Sequence, residues 1–389
     1  MAIEDDDIRD REVWTHVARQ WYLNASGRSP ETGRLYHHLA ILARPNALQQ
    51  LFFYQKALTV PQPFVAARES ILTLFQPIVD GKQARRLPVV ITAYVKAHSI
   101  LFVGKSQDMF SATLEELFSH LDSHIGRVTQ KYLEKGYYIA VSNILALLGN
   151  GFLNAVLVKA LAEVDASDNS DTGMSGTDPE VDDTDALVVF EGARHLFVQS
   201  VDIHLQRVGD PNVPLFLHVT MVFMVYASYS PKAMKLLDAN FPWKGLITML
   251  NTLLRFYHNY SRIEGDLLPV PDKNDFRPTP EEFVIRGLFW TVRCFIPGWF
   301  RNKNIEDENQ YKEDASMNTD YRPERILWLG CQLAKSGRWI CYENHKFMLP
   351  RASQVEYFKQ TVDTVMDSDN ESTANTATIV ADSDAEDAA

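Results

Sequence analysis

With 389 residues, 46% of them apolar, the chain has ample material for the core of one large or two ordinary domains. A net charge of −12 argues at first sight against a nucleic-acid partner. Three cysteines, Cys294, Cys331 and Cys341, form no C-x-x-C pair; this speaks against a zinc site or a disulfide framework and suits a reducing nucleocytoplasmic compartment.

Residues 1–9 are acidic where an export signal would be basic or apolar, so no export address is expected. From residue 10 the apolar residues recur at three- and four-residue spacing between Gly, Pro and polar turns. This predicts helices over 10–26, 32–44, 46–60, 63–79, 88–103 and 107–135. Within them one hairpin is written almost twice: Tyr22-x-x-Ala25 followed by Pro30 returns 32 residues on as Tyr54-x-x-Ala57 followed by Pro61 and Pro63. A period near that of a tetratricopeptide repeat signals stacked antiparallel helices. The aromatic fills the gap between helices, the small Ala lets two backbones approach, and the Pro ends the helix.

Residues 137–162 form one long apolar segment with Gly149 and Gly151 near its middle, read as two helices or one kinked helix. An acidic run follows, with little to bury, and predicts a disordered loop over 163–185. Helices resume at 186–208, 214–229, 231–239, 243–260, 280–296, 322–336 and 353–366, with long polar loops at 262–279 and 301–321 and an extended piece around Trp339. The run at 213–229 is shorter than the ~20 residues needed to span a bilayer, so it predicts a buried helix and no membrane partner. From residue 367 the acidic tail to residue 389 is expected to be disordered. Trp243, Trp290, Trp299, Trp328 and Trp339 fall near helix ends, where a large ring with one N–H donor suits inter-helix corners; stacking platforms for bases are the alternative.

Charge is segregated along the chain. Residues 163–191 carry ten acids and no Lys or Arg, and residues 363–389 carry eight acids and no base. Residues 8–105 hold thirteen Lys or Arg against five acids, with four histidines besides. Such a face can neutralise phosphates with little base specificity. The candidates for a binding strip are Arg34, Arg44, Lys56, Lys82, Arg85 and Arg86, at places where a repeat array exposes side chains along one edge. The bland alternative is a solvated helical surface. No Walker loop, G-x-S-x-G, H-E-x-x-H or dinucleotide fingerprint is present, so no enzyme and no cofactor are expected. His37 and His38 are adjacent on a helix and point about 100° apart, which predicts one core-facing and one surface histidine and no metal.

The words inside the repeat resemble a family. Trp21-Tyr22, Pro30 to Gly33, Tyr36-His37-His38-Leu39-Ala40-Ile41-Leu42-Ala43, Tyr54 to Val60 and Pro63-Phe64 are similar to the Est-type (ever shorter telomeres) and SMG family of telomerase and nonsense-mediated-decay adaptors. The words at 93–105, 242–254, 280–290 and 324–330 fit as well, though His37-His38 stands where the family usually has Asn-Gln. The resemblance implies an all-α, tetratricopeptide-like or 14-3-3-like array over 10–162, then a C-terminal α-helical hairpin region over 186–366. It implies a non-enzymatic, fungal-like DNA/RNA-binding adaptor in the nucleus that shuttles to the cytoplasm. Its expected partners are RNA or single-stranded DNA, namely telomerase RNA, telomeric DNA or mRNA, and proteins of telomerase or mRNA-decay complexes. A helical scaffold binding a peptide or phosphopeptide is the alternative. The family's phosphoserine pocket uses a base at the end of a word that is degenerate here, with Arg9 or Arg11 as candidates. Its second base belongs to earlier helices, so the expectation is a member shortened at its N-terminus.

Overall fold

The computed structural model describes residues 8–82, 87–128, 131–166, 183–270, 278–291, 293–300 and 321–351. In chain order the helices are α1 (Ile8–Arg28), α2 (Gly33–Leu42), α3 (Ala47–Thr59), α4 (Ala67–Ser70), α5 (Leu72–Val79), α6 (Val89–Val103), α7 (Phe110–Val128), α8 (Lys131–Leu147) and α9 (Val156–Ala166). The second half adds α10 (Asp183–Gln206), α11 (Pro214–Ser228), α12 (Pro231–Leu237), α13 (Trp243–Leu254), α14 (Tyr260–Ile263), α15 (Pro280–Ile285) and α16 (Tyr321–Ala334). Strands β1 (Cys341–Glu343) and β2 (Lys346–Met348) form the one sheet among the described residues, an antiparallel hairpin. The expectation of an all-α, tetratricopeptide-like array is borne out, as is the extended piece after Trp339. The three cysteines are unpaired and buried. Among the described residues no helix is long and apolar enough to cross a membrane.

The repeated words meet one another in space. Gly33 N–H donates to the Gln62 carbonyl at 2.8 Å, Gln62 N–H to Glu31 at 3.0 Å and Phe64 N–H to Ala57 at 2.8 Å, so the turn before α2 is sewn to the Pro61–Phe64 turn after α3. A Cβ on Gly33 would stand 2.3 Å from the Ala57 carbonyl oxygen, which is why no side chain fits there. Leu39, Ala40, Tyr54 and Ala57 are all within 1% of complete burial, and Tyr22 stacks on His38 with ring centroids 4.9 Å apart. Asn46 caps α3 by accepting from Gln49 N–H at 3.2 Å.

Several boundaries differ from the sequence reading. The 63–79 stretch is two helices with a break at Ile71; Pro77 sits inside the second. Within the 107–135 stretch the described helices are α7, to Val128, and α8, from Lys131, with residues 129–130 outside the description. The 137–162 segment is two helices, separated at Gly149–Gly151, where both glycines have positive φ. The expected 163–185 loop is narrower than read, because α9 continues to Ala166 and α10 begins at Asp183. Its remainder, the 353–366 helix and the tail lie outside the described residues. The 243–260 helix stops at Leu254, and among the described residues of the 280–296 stretch only Pro280–Ile285 is α-helical.

The two halves share one continuous apolar core, running from Tyr36 to Phe347. The all-round apolar α11 lies inside it, against α8 on one side and α16 on the other. Trp290, Trp299, Trp328 and Trp339 are buried at corners; Trp328 donates to the Gly265 carbonyl at 2.9 Å and Trp339 to Asp238 at 3.1 Å. Buried indoles of this kind cannot act as stacking platforms.

Candidate functional site

Arg34 opens α2 and is exposed, and Arg44 lies just past its C-terminus, also exposed. Between them His37 and His38 are half-buried on opposite flanks of the same face. His37 Nε2 is 3.0 Å from Ser70 Oγ on α4, and its ring leans on Phe64 at 4.8 Å, while His38 stacks on Tyr22 of α1. Neither is a core residue, which corrects half of the expected core-and-surface pair. Burial holds both rings below the usual histidine range, with His38 and then Arg34 adding for His37, and Arg34 adding for His38. Arg34 is therefore close enough to repel positive charge on both rings. Among the described residues no cluster could hold a metal ion. Arg44 borders a surface hollow of about 610 Å³, counting the part open to solvent, with Pro45, Gln50, Thr73 and Leu74.

Lys82 is exposed but reaches Asp80 at 3.0 Å, a carboxylate that also accepts from Gln76 at 2.8 Å. Arg85 and Arg86 lie outside the described residues. Arg9 and Arg11 occupy the start of α1, and their side chains are likewise outside the description.

Lys56 departs from its expected place on an exposed edge. It is 2% exposed, its Nζ donates to the Val284 carbonyl at 2.6 Å, and it sits 4.3 Å over the Tyr36 ring. Burial drives its pKa well down, with Arg286 adding. Repeat spacing faithfully places Lys56 on α3, but every residue of α3 is buried, because α2, α4, α6 and α8 pack around it and Val284 of α15 receives Lys56. Lys56 therefore takes no part in an exposed strip.

Two buried polar systems that sequence reasoning missed hold these elements in register. In the first, Gln55 Nε2 donates to His98 Nδ1 at 3.3 Å and to Asn150 Oδ1 at 2.9 Å. His98 Nε2 donates to Asn143 Oδ1 at 3.2 Å, and the Tyr94 hydroxyl is 2.8 Å from the same oxygen. Arg68 donates to the Asn150 carbonyl at 2.9 Å and lies 3.6 Å over Phe152, which fixes the 149–151 kink against α4. The signal was the Tyr94-to-His98 spacing of four residues, one helical turn. In the second, Glu281 accepts from Arg322 Nε at 2.6 Å and pairs with His218 Nδ1 at 2.9 Å. Glu282 accepts from Arg325 at 2.8 Å, Trp299 Nε1 at 3.2 Å and Thr279 N–H at 2.7 Å. Both carboxylates are fully buried.

His98 and a second buried histidine, His204, are both held neutral. His204 donates through Nδ1 to the Ser200 carbonyl at 2.6 Å, accepts from the Tyr132 hydroxyl at 2.8 Å and stacks on Phe216. Burial pushes both histidines down to about 4. The unfolded chain binds a proton at each near pH 6.5, which the folded chain refuses until about pH 4. Acidification through that window therefore favours unfolding, by on the order of 1 kcal/mol per pH unit for each histidine. The urea midpoint should fall steadily across it, and a flat midpoint would contradict the assignment.

A cleft of about 680 Å³, counting the part open to solvent, lies where α1, α2, α3 and α8 meet α15. Its lining includes Arg19, Tyr36, Lys56, Tyr137, Phe283 and Arg286.

Residues 18–155 match the Est1 DNA/RNA binding domain family. The chain is also similar to the telomerase-binding protein EST1A of Danio rerio, at 38% identity over 83 residues. That alignment covers 20% of this chain and 5% of the zebrafish protein, so the chain spans a small part of the relative's length.

Proposed function

We propose, for a chain whose residues 18–155 belong to the Est1 DNA/RNA binding domain family, that it is a non-enzymatic adaptor gripping single-stranded RNA or DNA through the exposed face of α2. The observation that carries this reading is that Arg34 and Arg44, at the two ends of α2, are both exposed inside the matched segment, with the half-buried His37 and His38 between them. Guanidinium groups on such a face hold phosphates without reading bases, which agrees with an interface that lacks a deep groove-reading helix. Lys82 adds to the face to the extent that phosphate competes with Asp80. Arg85 and Arg86, three and four residues beyond Lys82 in the sequence, are further candidates for the same role. The segregation of charge along the sequence, with thirteen Lys or Arg against five acids over residues 8–105, supports this reading. The name of the zebrafish relative supports a telomerase-associated setting in the nucleus; a role in mRNA decay rests on the family resemblance.

The test is Arg34→Glu with Arg44→Glu, measured by fluorescence anisotropy against single-stranded RNA and DNA at two salt concentrations. The parent should weaken steeply with salt. The double variant should bind about tenfold or more weakly, and its logarithmic salt slope should fall by about 0.7 for each phosphate that is no longer held. Binding of equal strength and equal slope in both would reject this face and favour a helical scaffold for a peptide.

A further inference from the structure

We propose that the outer face of α1 is a self-association surface, on which a second copy of this chain lays its own α1 antiparallel. The inference goes beyond the nucleic-acid reading and does not depend on it. Four large apolar side chains of α1 stand in solvent: Val13 is 60% exposed, Trp14 45%, Val17 38% and Trp21 72%. A cluster of this kind on a helix marks a contact surface, because each indole buries a large apolar area once it is covered. Trp14, Val17, Trp21, Asn24 and Arg28 follow one another at spacings of three, four, three and four residues, the seam of a two-stranded coiled coil. The opposite side of the same helix is already used: Tyr22 stacks on His38 of α2, and Arg19, Leu23 and Ser26 line the cleft toward α3 and α8. The seam therefore points away from the protein that carries it.

A second copy is the occupant this seam fits. In a two-fold antiparallel pair whose layers alternate the two seam positions, Val17 of each copy meets Trp21 of the other at the centre, a small side chain against a large one. Trp14 then meets Asn24 of the other copy. The Asn24 Oδ1 has no donor among the described residues, and an indole N–H supplies one once the carboxamide turns toward it. Ala18, Ala25 and Gly27 flank the seam and let two backbones approach. Charge selects the direction. Residues 4–12 hold six acids and two arginines, whereas the other end of the helix carries the exposed Arg28. Antiparallel pairing sets each acidic end beside an Arg28, while parallel pairing would set acid against acid and Arg28 against Arg28. One helix per copy falls short of the ~800 Å² per partner of a standard interface, so the pair is weak, with a Kd of about 1–100 µM.

The experiment is sedimentation velocity on the full chain from about 1 to 200 µM, a range that brackets the expected Kd. Circular dichroism melts establish that each variant is folded. The parent should pass from monomer to dimer across the range. Trp21→Glu and Val17→Glu alter side chains that face solvent in the monomer, so both should melt like the parent and stay monomeric throughout. Arg28→Glu should weaken the dimer more at low salt than at high salt, because it sets an acid beside the acidic first turns. A parent that is still monomeric at the top of the range overturns the proposal. A dimer that survives in either folded glutamate variant of the seam lies elsewhere on the molecule and overturns it too. A dimer of unchanged strength in Arg28→Glu at low salt rules out the antiparallel arrangement, and the proposal falls with it. If the parent stays monomeric and a single-stranded oligonucleotide quenches its indole fluorescence, but not that of the Trp14→Phe, Trp21→Phe double variant, the two indoles are stacking platforms for bases and not a contact between copies.

Discussion

Replacing Glu282 with Ala should destabilise the protein by about 3–5 kcal/mol, among the largest effects open to a single polar side chain. Glu282 is completely buried and one of its oxygens accepts three donors: Thr279 N–H, the Trp299 indole and Arg325. Arg325 is also completely buried, with its guanidinium 4.8 Å from the centre of the Trp299 ring. Removing the carboxylate takes from the buried Arg325 guanidinium the anion that accepts its Nη1–H at 2.8 Å, and the cost is that of breaking one side of a buried ion pair. A second substitution separates this cost from that of weakened packing. Glu282→Leu combined with Arg325→Met removes both charges and should recover much of the stability, because apolar replacement of a whole buried pair is often neutral. Urea denaturation of the three variants checks it. A Glu282→Ala midpoint within experimental error of the parent, or a double variant weaker than the single one, would show that the pair is not what holds α15 to α16.

Gly33→Ala should be comparably damaging, at about 3 kcal/mol or more, although it adds one methyl group. That methyl would meet the Ala57 carbonyl oxygen at 2.3 Å, the Phe64 nitrogen at 2.7 Å and the Gln62 carbonyl oxygen at 2.9 Å. All three are backbone atoms and none can rotate away. Relief requires α2 to move off the end of α3, which breaks the Gly33-to-Gln62 and Phe64-to-Ala57 hydrogen bonds. Gly265→Ala is the control, since its nearest neighbours lie at 3.9 Å and its substitution should stay within about 1 kcal/mol. Parallel thermal melts decide the matter; equal shifts in the two variants would mean that the close approach at Gly33 is not constraining.

Much of the architecture was legible because it is written in local periodicity. The Tyr-x-x-Ala words, the Pro-x-x-Gly turn and the all-apolar run of α11 each encode what a residue touches within a turn or one helix away. The buried carboxylates were not legible. Glu281 and Glu282 follow Pro280 at a helix start, where acids are ordinary. Only the distant His218, Arg322 and Arg325 make them core residues. Lys56 failed for the same reason: a lysine on a repeat helix reads as solvent-facing until a carbonyl far along the chain arrives to receive it. The break at Ile71 escaped because the apolar pattern runs through it, while α5 packs against α6. Arg34 and Arg44 were readable as exposed because they bracket α2, whose inward positions are taken by Gly33, Tyr36, Leu39 and Ala40.

The hydrogen bond from Lys56 to Val284 joins residues 228 positions apart. During synthesis the helices that carry the family match emerge first, and Lys56 of α3 stays hydrated, without its protein acceptor, until the ribosome has delivered α15. Closing so long a loop costs chain entropy before any contact repays it. The first-made part of the molecule is thus completed by a late-made one, and the matched segment excised on its own would expose an apolar, lysine-bearing scar instead of a finished surface.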